Sequence, residues 1–320
     1  MTTKRLHSPD FVSLPDEVAS VFHVTAADGA VLPVYAWRDA PAAPAPALLF
    51  GHCTGFAAGS YRSLFERLAT CARVFAFDAR GHGGSTWPDG PLEQVFSLAH
   101  YVDDLRRVGA AVAARTGTVP HFAGHSLNGR AALRLEMAGG APAWPSLTLF
   151  EPPIFPPPGE ADHTEAMEKQ GRLVRSTERR VAAWPDPASL VAFLKGRGIF
   201  GVFSDDDLAQ QVHATLRPDA GGGWRLCCPP AIEAATFRSV RDDLDSWMRL
   251  DAVTRPLVLV RGDPSMPDRD WITAASATIA ARMPGARLIT LAGAGHMMMF
   301  EQPERCVAII AEQLTSRSPD

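Results

Sequence analysis

The 320-residue chain predicts an α/β fold, a parallel sheet with helices on both faces. Three observations carry this. Short apolar runs recur, each ending at Gly, Asp, Glu, Ala or Arg. Helical patterns lie between them. The polar residues suited to chemistry gather where the runs stop.

Taken in order, "SVFHVTAADGAVLPVYAW" reads as two strands around Asp28-Gly29, a hairpin. The Ala- and Pro-rich "DAPAAPAPA" (39–47) is a surface loop. "ALLF" (47–50) runs into "GHCTGF", and "RVFAF" (73–77) into "DARGHGGS". "HFA" (121–123) runs into "GHSLNG", and "LTLF" (147–150) into "EPP". "LVLV" (257–260) runs into "RGDP", and "LITL" (288–291) into "AGAGH". Runs this short, without polar alternation, suit strands buried on both faces. In "SYRSLFERLA", Ser60 is the expected N-cap, with Leu64, Phe65 and Leu68 on one face. Leu98, Val102, Leu105, Val108 and Val112 follow the three-to-four spacing of an amphipathic helix.

Residues 152–250 break this rhythm. They open on "PPIFPPPGE", too proline-rich for helix or central strand. Helical stretches follow in "HTEAMEKQGRLVRSTERRVAAW", "DPASLVAFLKGRG" and "PPAIEAATFRSV", with a flexible "PDAGGGW" among them. No buried strand is expected there. The organisation is therefore 1–151, first part of a core; 152–250, a largely helical insertion; and 251–320, the rest of the core.

Composition bounds the function. The chain is 46% hydrophobic and 21% charged, an ordinary globular balance. A net charge of −4 gives no reason to expect nucleic acid. Five cysteines without framework spacing read as reduced thiols, and the adjacent Cys227-Cys228 lacks the spacing of a metal site. The N-terminal stretch has no apolar core of a signal peptide, and no run reaches the ~20 residues of a membrane span. A cytoplasmic protein without membrane partner, metal or cofactor is expected. Oligomeric state is not legible.

In an open parallel sheet, ligands bind beyond the carboxyl ends of the strands. His52, Asp78, Ser126, Glu151, Asp263 and His296 all stand at such ends. Ser126 follows a run and precedes a helical pattern, as a nucleophile on a sharp strand-to-helix turn does. Gly124 fits the position two before it. The position two after, usually glycine, is Asn128, with Gly129 next. A serine hydroxyl needs a base, and His296 follows the last strand behind two glycines. Oxyanion donors are expected from the N–H groups of Leu127 and Thr54.

These motifs resemble those of the α/β-hydrolase superfamily. "FGHCTGF" is similar to its oxyanion loop, "FDARGHGGS" to its Asp-x-Arg-Gly-His-Gly-x-Ser loop, "AGHSLNG" to its elbow and "GAGHMMMFEQPE" to its histidine loop. The resemblance covers about 20–151 and 251–315. It implies an α/β-hydrolase fold: a mostly parallel eight-stranded sheet with a helical cap inserted after the sixth strand. It also implies that Asp78 and His82 brace a loop. The family often places an acid three or four residues after a glycine ending the seventh strand; here those are Ser265 and Met266. Glu151, ending the sixth strand, and Asp263, following Gly262, are both candidates, whereas Asp268 and Asp270 read as helix caps.

The function expected is a serine hydrolase of small or medium, partly apolar carboxylic esters or lactones. Ser126 is the nucleophile, His296 the base, and Glu151 or Asp263 the orienting acid. His52, Cys53, Phe200, Phe203, Trp224 and Met297 are candidates for substrate contact. Phe155 and Trp184 are further aromatics of the insertion that either line a pocket or fill its core. Same-fold alternatives are a C–C hydrolase, an acyltransferase, a perhydrolase and a cofactor-free oxygenase. An alternative of another class is a ligand receptor without turnover.

Overall fold

The apolar runs form strands. The computed structural model describes residues 18–37, 45–139, 144–267 and 269–315. Most of the loop expected at 39–47, and Asp268, lie outside them. The chain begins with the hairpin β1 (Val18–Thr25) and β2 (Val31–Trp37). Its turn is closed by Asp28, whose Oδ1 accepts from Ala30 N at 3.2 Å. Then come β3 (Ala47–Gly51), β4 (Arg73–Phe77), β5 (His121–His125) and β6 (Leu147–Phe150). Three short strands follow: β7 (Ala183–Trp184), β8 (Leu216–Pro218) and β9 (Trp224–Leu226). β10 (Leu257–Arg261) and β11 (Ala286–Thr290) complete the set.

Eight of these make one sheet in the order β1-β2-β4-β3-β5-β6-β10-β11. From β4 to β11 every pairing is parallel; β2 runs antiparallel to both its neighbours. Burial on both faces explains the unbroken apolar runs of β3, β4, β5, β6 and β10, whereas β11, at the sheet edge, is only partly buried. Leu49, Phe122, Leu149 and Leu259 pack on one side with Leu105, Val108 and Val112 of the helix Leu98–Thr116. Leu48, Phe50, Val74 and Val258 pack on the other with Leu64, Phe65 and Leu68 of the helix Arg62–Leu68. Ser60 does not cap that helix: its Oγ accepts from Ala57 N at 3.1 Å inside a preceding 3-10 turn, and Tyr61 stands at the N-cap.

The cap follows the sixth strand. It holds helices His163–Glu178, Pro187–Leu194, Asp205–Thr215 and Pro230–Arg241. It also holds a small antiparallel sheet, β7-β9-β8, where no strand was expected. At two or three residues, those strands are too short to show a period. "PDAGGGW" is the tight connection between β8 and β9, closed by Asp219 N donating to Gly223 O at 2.9 Å. Leu190, Val212 and Leu216 form a separate apolar cluster in the middle of the cap, whereas Ile232, Ala235 and Val240 join the main core. Among the described residues no helix is long and apolar enough to cross a membrane.

Candidate active site

Ser126 stands between β5 and the helix Leu127–Met137 with φ 50° and ψ −107°. A non-glycine residue there is strained, and such strain persists only where the surroundings impose it. Here β5 ends in a bond from Ser126 N to Phe150 O of β6 (2.9 Å), while Ser126 O accepts from Arg130 N of the helix (2.8 Å). Strand and helix approach closely because Gly124 and Gly129 have no side chain. A Cβ on Gly124 would lie 2.9 Å from Gly129 N.

Asn128 has a defined place. A Cβ added to Gly51, the last residue of β3, would lie 2.4 Å from Asn128 Cβ. The missing methyl group on β3 thus makes room for the larger residue in the elbow. Asn128 Nδ2 then donates to His52 O at 2.6 Å, tying the elbow to the loop Gly51–Phe56. In that loop Cys53 N is taken by Tyr61 Oη at 3.2 Å, so Thr54 N is the candidate oxyanion donor. Leu127 is the first helical residue, and its N–H has no acceptor within the helix.

His296 and Glu151 are joined. The imidazole Nδ1–H donates to Glu151 Oε2 at 2.7 Å. The other carboxylate oxygen, Oε1, accepts from Thr273 Oγ1 (2.5 Å) and from Gly262 N (2.8 Å). Glu151 is fully buried and has φ 42°, the second positive φ among described non-glycine residues. That turn aims its side chain across the end of β10. Gly262 is required there, since a Cβ would meet Ala294 O at 2.6 Å. Burial pushes the Glu151 carboxyl up, but the hydrogen bond and charge of His296, with Thr273 and Gly262, outweigh it and hold it below its ordinary value. For His296, burial pushes down, and Glu151, then Asp270 and Glu301, outweigh that and raise it.

A second chain of bonds, not expected from the sequence, braces these parts. His125 Nε2 donates to His296 O at 2.9 Å. A carbonyl only accepts, so the proton sits on Nε2. Nδ1 therefore accepts from Tyr61 Oη–H at 2.8 Å, while Tyr61 Oη accepts from Cys53 N. Burial, then His296, hold His125 well below its ordinary pKa and neutral. Oxyanion loop, elbow and histidine loop are connected through two buried rings.

Several expected residues stand elsewhere. Asp263 does not reach His296: Oδ1 accepts from Ser265 N and Oγ (2.8 and 2.6 Å), and Oδ2 from Gly293 N (2.8 Å). It braces two surface loops. Asp270 caps the helix Trp271–Ala281, accepting from Ile272 N at 3.2 Å. His52 is buried beneath the cavity wall. Its Nδ1–H donates to Cys53 O (2.7 Å), Nε2 accepts from Ala79 N (2.9 Å), and burial lowers its pKa to about 4. Asp78 accepts from Tyr35 Oη, Ala58 N and Gly84 N, a loop brace.

Ser126, Leu127, Cys53, Thr54, His296, Met297 and Phe200 line one cavity of about 520 Å³ between core and cap. Phe203 is not on its wall; it stacks on Phe300 at 4.1 Å. Trp224 and Trp184 pack against the small cap cluster, and Phe155 is buried against Trp271. The cavity also carries charge the sequence did not disclose: Lys169, Arg180, Arg197, Glu233 and Asp270. These residues come from separate segments, and no spacing links them.

The mostly parallel eight-stranded sheet with a strained serine at the end of β5 defines the α/β-hydrolase class of protein. Residues 48–309 match the model of the alpha/beta hydrolase family, and the chain belongs to that family and is a hydrolase. Over 263 residues it is 27% identical to the 2-(acetamidomethylene)succinate hydrolase of Mesorhizobium japonicum, spanning 81% of this chain and 84% of that protein. The crystal structure of an E-2-(acetamidomethylene)succinate hydrolase superposes with a TM-score of 0.71 at 23% identity, over 93% of this chain and 100% of the other. A thermophilic esterase from Thermogutta terrifontis, solved with malate bound, superposes with a TM-score of 0.62 at 21% identity, over 92% and 98% of the two chains. These structural likenesses show the shared fold.

Proposed function

We propose that the chain is a serine hydrolase of carboxylic esters that works through an acyl-enzyme on Ser126. The observation that carries this is the buried Glu151–His296 pair opening onto the same cavity as the strained Ser126. With Nδ1–H held by Glu151, His296 Nε2 is the free basic nitrogen. It takes the Ser126 Oγ proton as Oγ bonds to the acyl carbon. The N–H groups of Thr54 and Leu127 hold the oxygen that becomes negative. Collapse breaks the bond to the leaving oxygen, which takes the proton from Nε2. Water then attacks the acyl carbon, passing its proton to the same nitrogen, and the acid leaves as Ser126 is re-protonated.

One finding favours a second reading, cleavage of an acyl–nitrogen bond. The 27%-identical relative is named for an acetamido compound. The same residues serve both reactions, with an amine in place of the alcohol. Fluorophosphonate labelling with peptide mapping tests the nucleophile: the adduct should sit on Ser126 and disappear in Ser126→Ala. Labelling elsewhere, or full turnover by Ser126→Ala, would overturn the reading. Matched aryl esters and anilides then separate the two bond classes.

A further inference from the structure

The cavity wall formed by the cap is cationic, and one cation is held in an unusual way. Arg180, just past the helix His163–Glu178, donates from Nη1 to Glu233 Oε1 at 2.5 Å. Glu233 is 4% exposed and lies directly against the oxyanion loop: a Cβ on Gly55 would meet its Oε1 at 2.7 Å. A guanidinium has five N–H donors in a rigid fork. Glu233 engages one side-chain donor of Arg180; among the described residues the others have no partner, and the side chain is 40% exposed at the cavity. Glu233 thus anchors the guanidinium at one nitrogen and leaves its other donors open.

Arg197 enters the same cavity between Gly196 and Gly198, both at positive φ. Its guanidinium lies 4.7 Å from the Phe193 ring centroid, and no described carboxylate is within ion-pair distance. The third cation, Lys169, is already engaged by Glu165 Oε1 and Arg269 O, both at 2.9 Å. Against these three stand two carboxylates, Glu233 and Asp270. Glu233 is matched by Arg180. Asp270 is engaged as the cap of the helix Trp271–Ala281, accepting from Ile272 N at 3.2 Å. Three cations thus face two carboxylates in the lining, and the two arginines among them offer planar donors suited to a bidentate carboxylate.

Building on the serine hydrolase reading, we propose that Arg180 and Arg197 form a carboxylate subsite, so that the preferred substrates are acyl compounds bearing a second, free carboxylate. A purely structural Arg180–Glu233 pair would give the cavity no preference between charged and neutral acyl chains.

The test compares 4-nitrophenyl hydrogen glutarate with neutral 4-nitrophenyl hexanoate. The ratio of kcat/KM values should favour the anionic ester in the wild type. It should fall roughly 10- to 100-fold in Arg197→Met and in Arg180→Lys, the range of a lost charge-assisted bond. Arg180→Lys keeps a cation on Glu233 and removes the fork, so the buried carboxylate is not orphaned. A wild-type preference for the hexanoate, or a double variant whose ratio stays within about twofold of wild type, would overturn the subsite. Calorimetric titration with glutarate separates this from the catalytic reading. If neither ester turns over and Ser126 resists the phosphonate, the catalytic reading fails. Saturable glutarate binding that Arg197→Met weakens would then still support the subsite, and absence of such binding in the wild type would refute it.

Discussion

Replacing Glu151 by Gln keeps the size of the side chain and removes its charge, and the surrounding bonds dictate how the amide must sit. Oε1 accepts from two donors, Thr273 Oγ1 and Gly262 N. The amide oxygen therefore stays on that side. Turning the amide over would leave the buried Gly262 N–H facing an NH₂ group, a cost of about 1–3 kcal/mol. The NH₂ group is consequently directed at His296 Nδ1, which can only accept from it. The imidazole proton moves to Nε2, the nitrogen proposed to receive the Ser126 proton. The wrong tautomer with correct geometry costs on the order of 10⁴ in kcat, about 5.5 kcal/mol. Asp263→Asn removes a charge that holds Ser265 and Gly293 and does not reach His296, so it should cost less than about 10-fold. Both variants are assayed for steady-state ester hydrolysis after circular dichroism shows them folded. A Glu151→Gln enzyme within about tenfold of wild type, or a larger loss in Asp263→Asn, would refute the reasoning.

Because Glu151 raises the His296 pKa, the base should be lost as pH falls through a midpoint above the ordinary ~6.5, and kcat/KM should rise with pH through it. A pH–rate profile with its inflection below that value would count against the assignment. Gly51→Ala should destabilise by about 1–3 kcal/mol in urea melts, and adding Asn128→Gly should restore most of the loss. If Gly51→Ala alone is neutral, the two positions are not coupled. Phe200→Ala should shift acyl chain-length preference because Phe200 lines the cavity. Trp224→Ala should instead weaken protease resistance of the cap, and an unchanged preference in the first variant would remove Phe200 from the pocket wall.

The inner strands β3, β4, β5, β6 and β10 were legible because they are buried on both faces and so write unbroken apolar runs. β7, β8 and β9 were not, since two or three residues cannot display a period of two. Position along the chain placed both Glu151 and Asp263 at strand ends, yet it carries no information on side-chain direction. The positive φ at Glu151 decides that direction, and a residue type rarely found there gives no forewarning. His52 and Phe203 were plausible wall residues by proximity in sequence; one turns under the oxyanion loop and the other onto Phe300. Nothing in the sequence marks Lys169, Arg180 and Arg197, because only the fold reveals that they face the inside of a cavity.

The contact between Gly51 and Asn128 makes two distant sequence positions historically dependent. Asparagine is admitted at the elbow only while β3 ends in glycine, and once it is there that glycine can no longer change first. The order of substitutions is therefore constrained: a change to glycine at 128 must come before 51 can vary. A search for serine elbows that insists on a glycine two residues after the serine would pass over this one. A search that accepts asparagine there, provided the strand before the oxyanion loop ends without a side chain, would retain it.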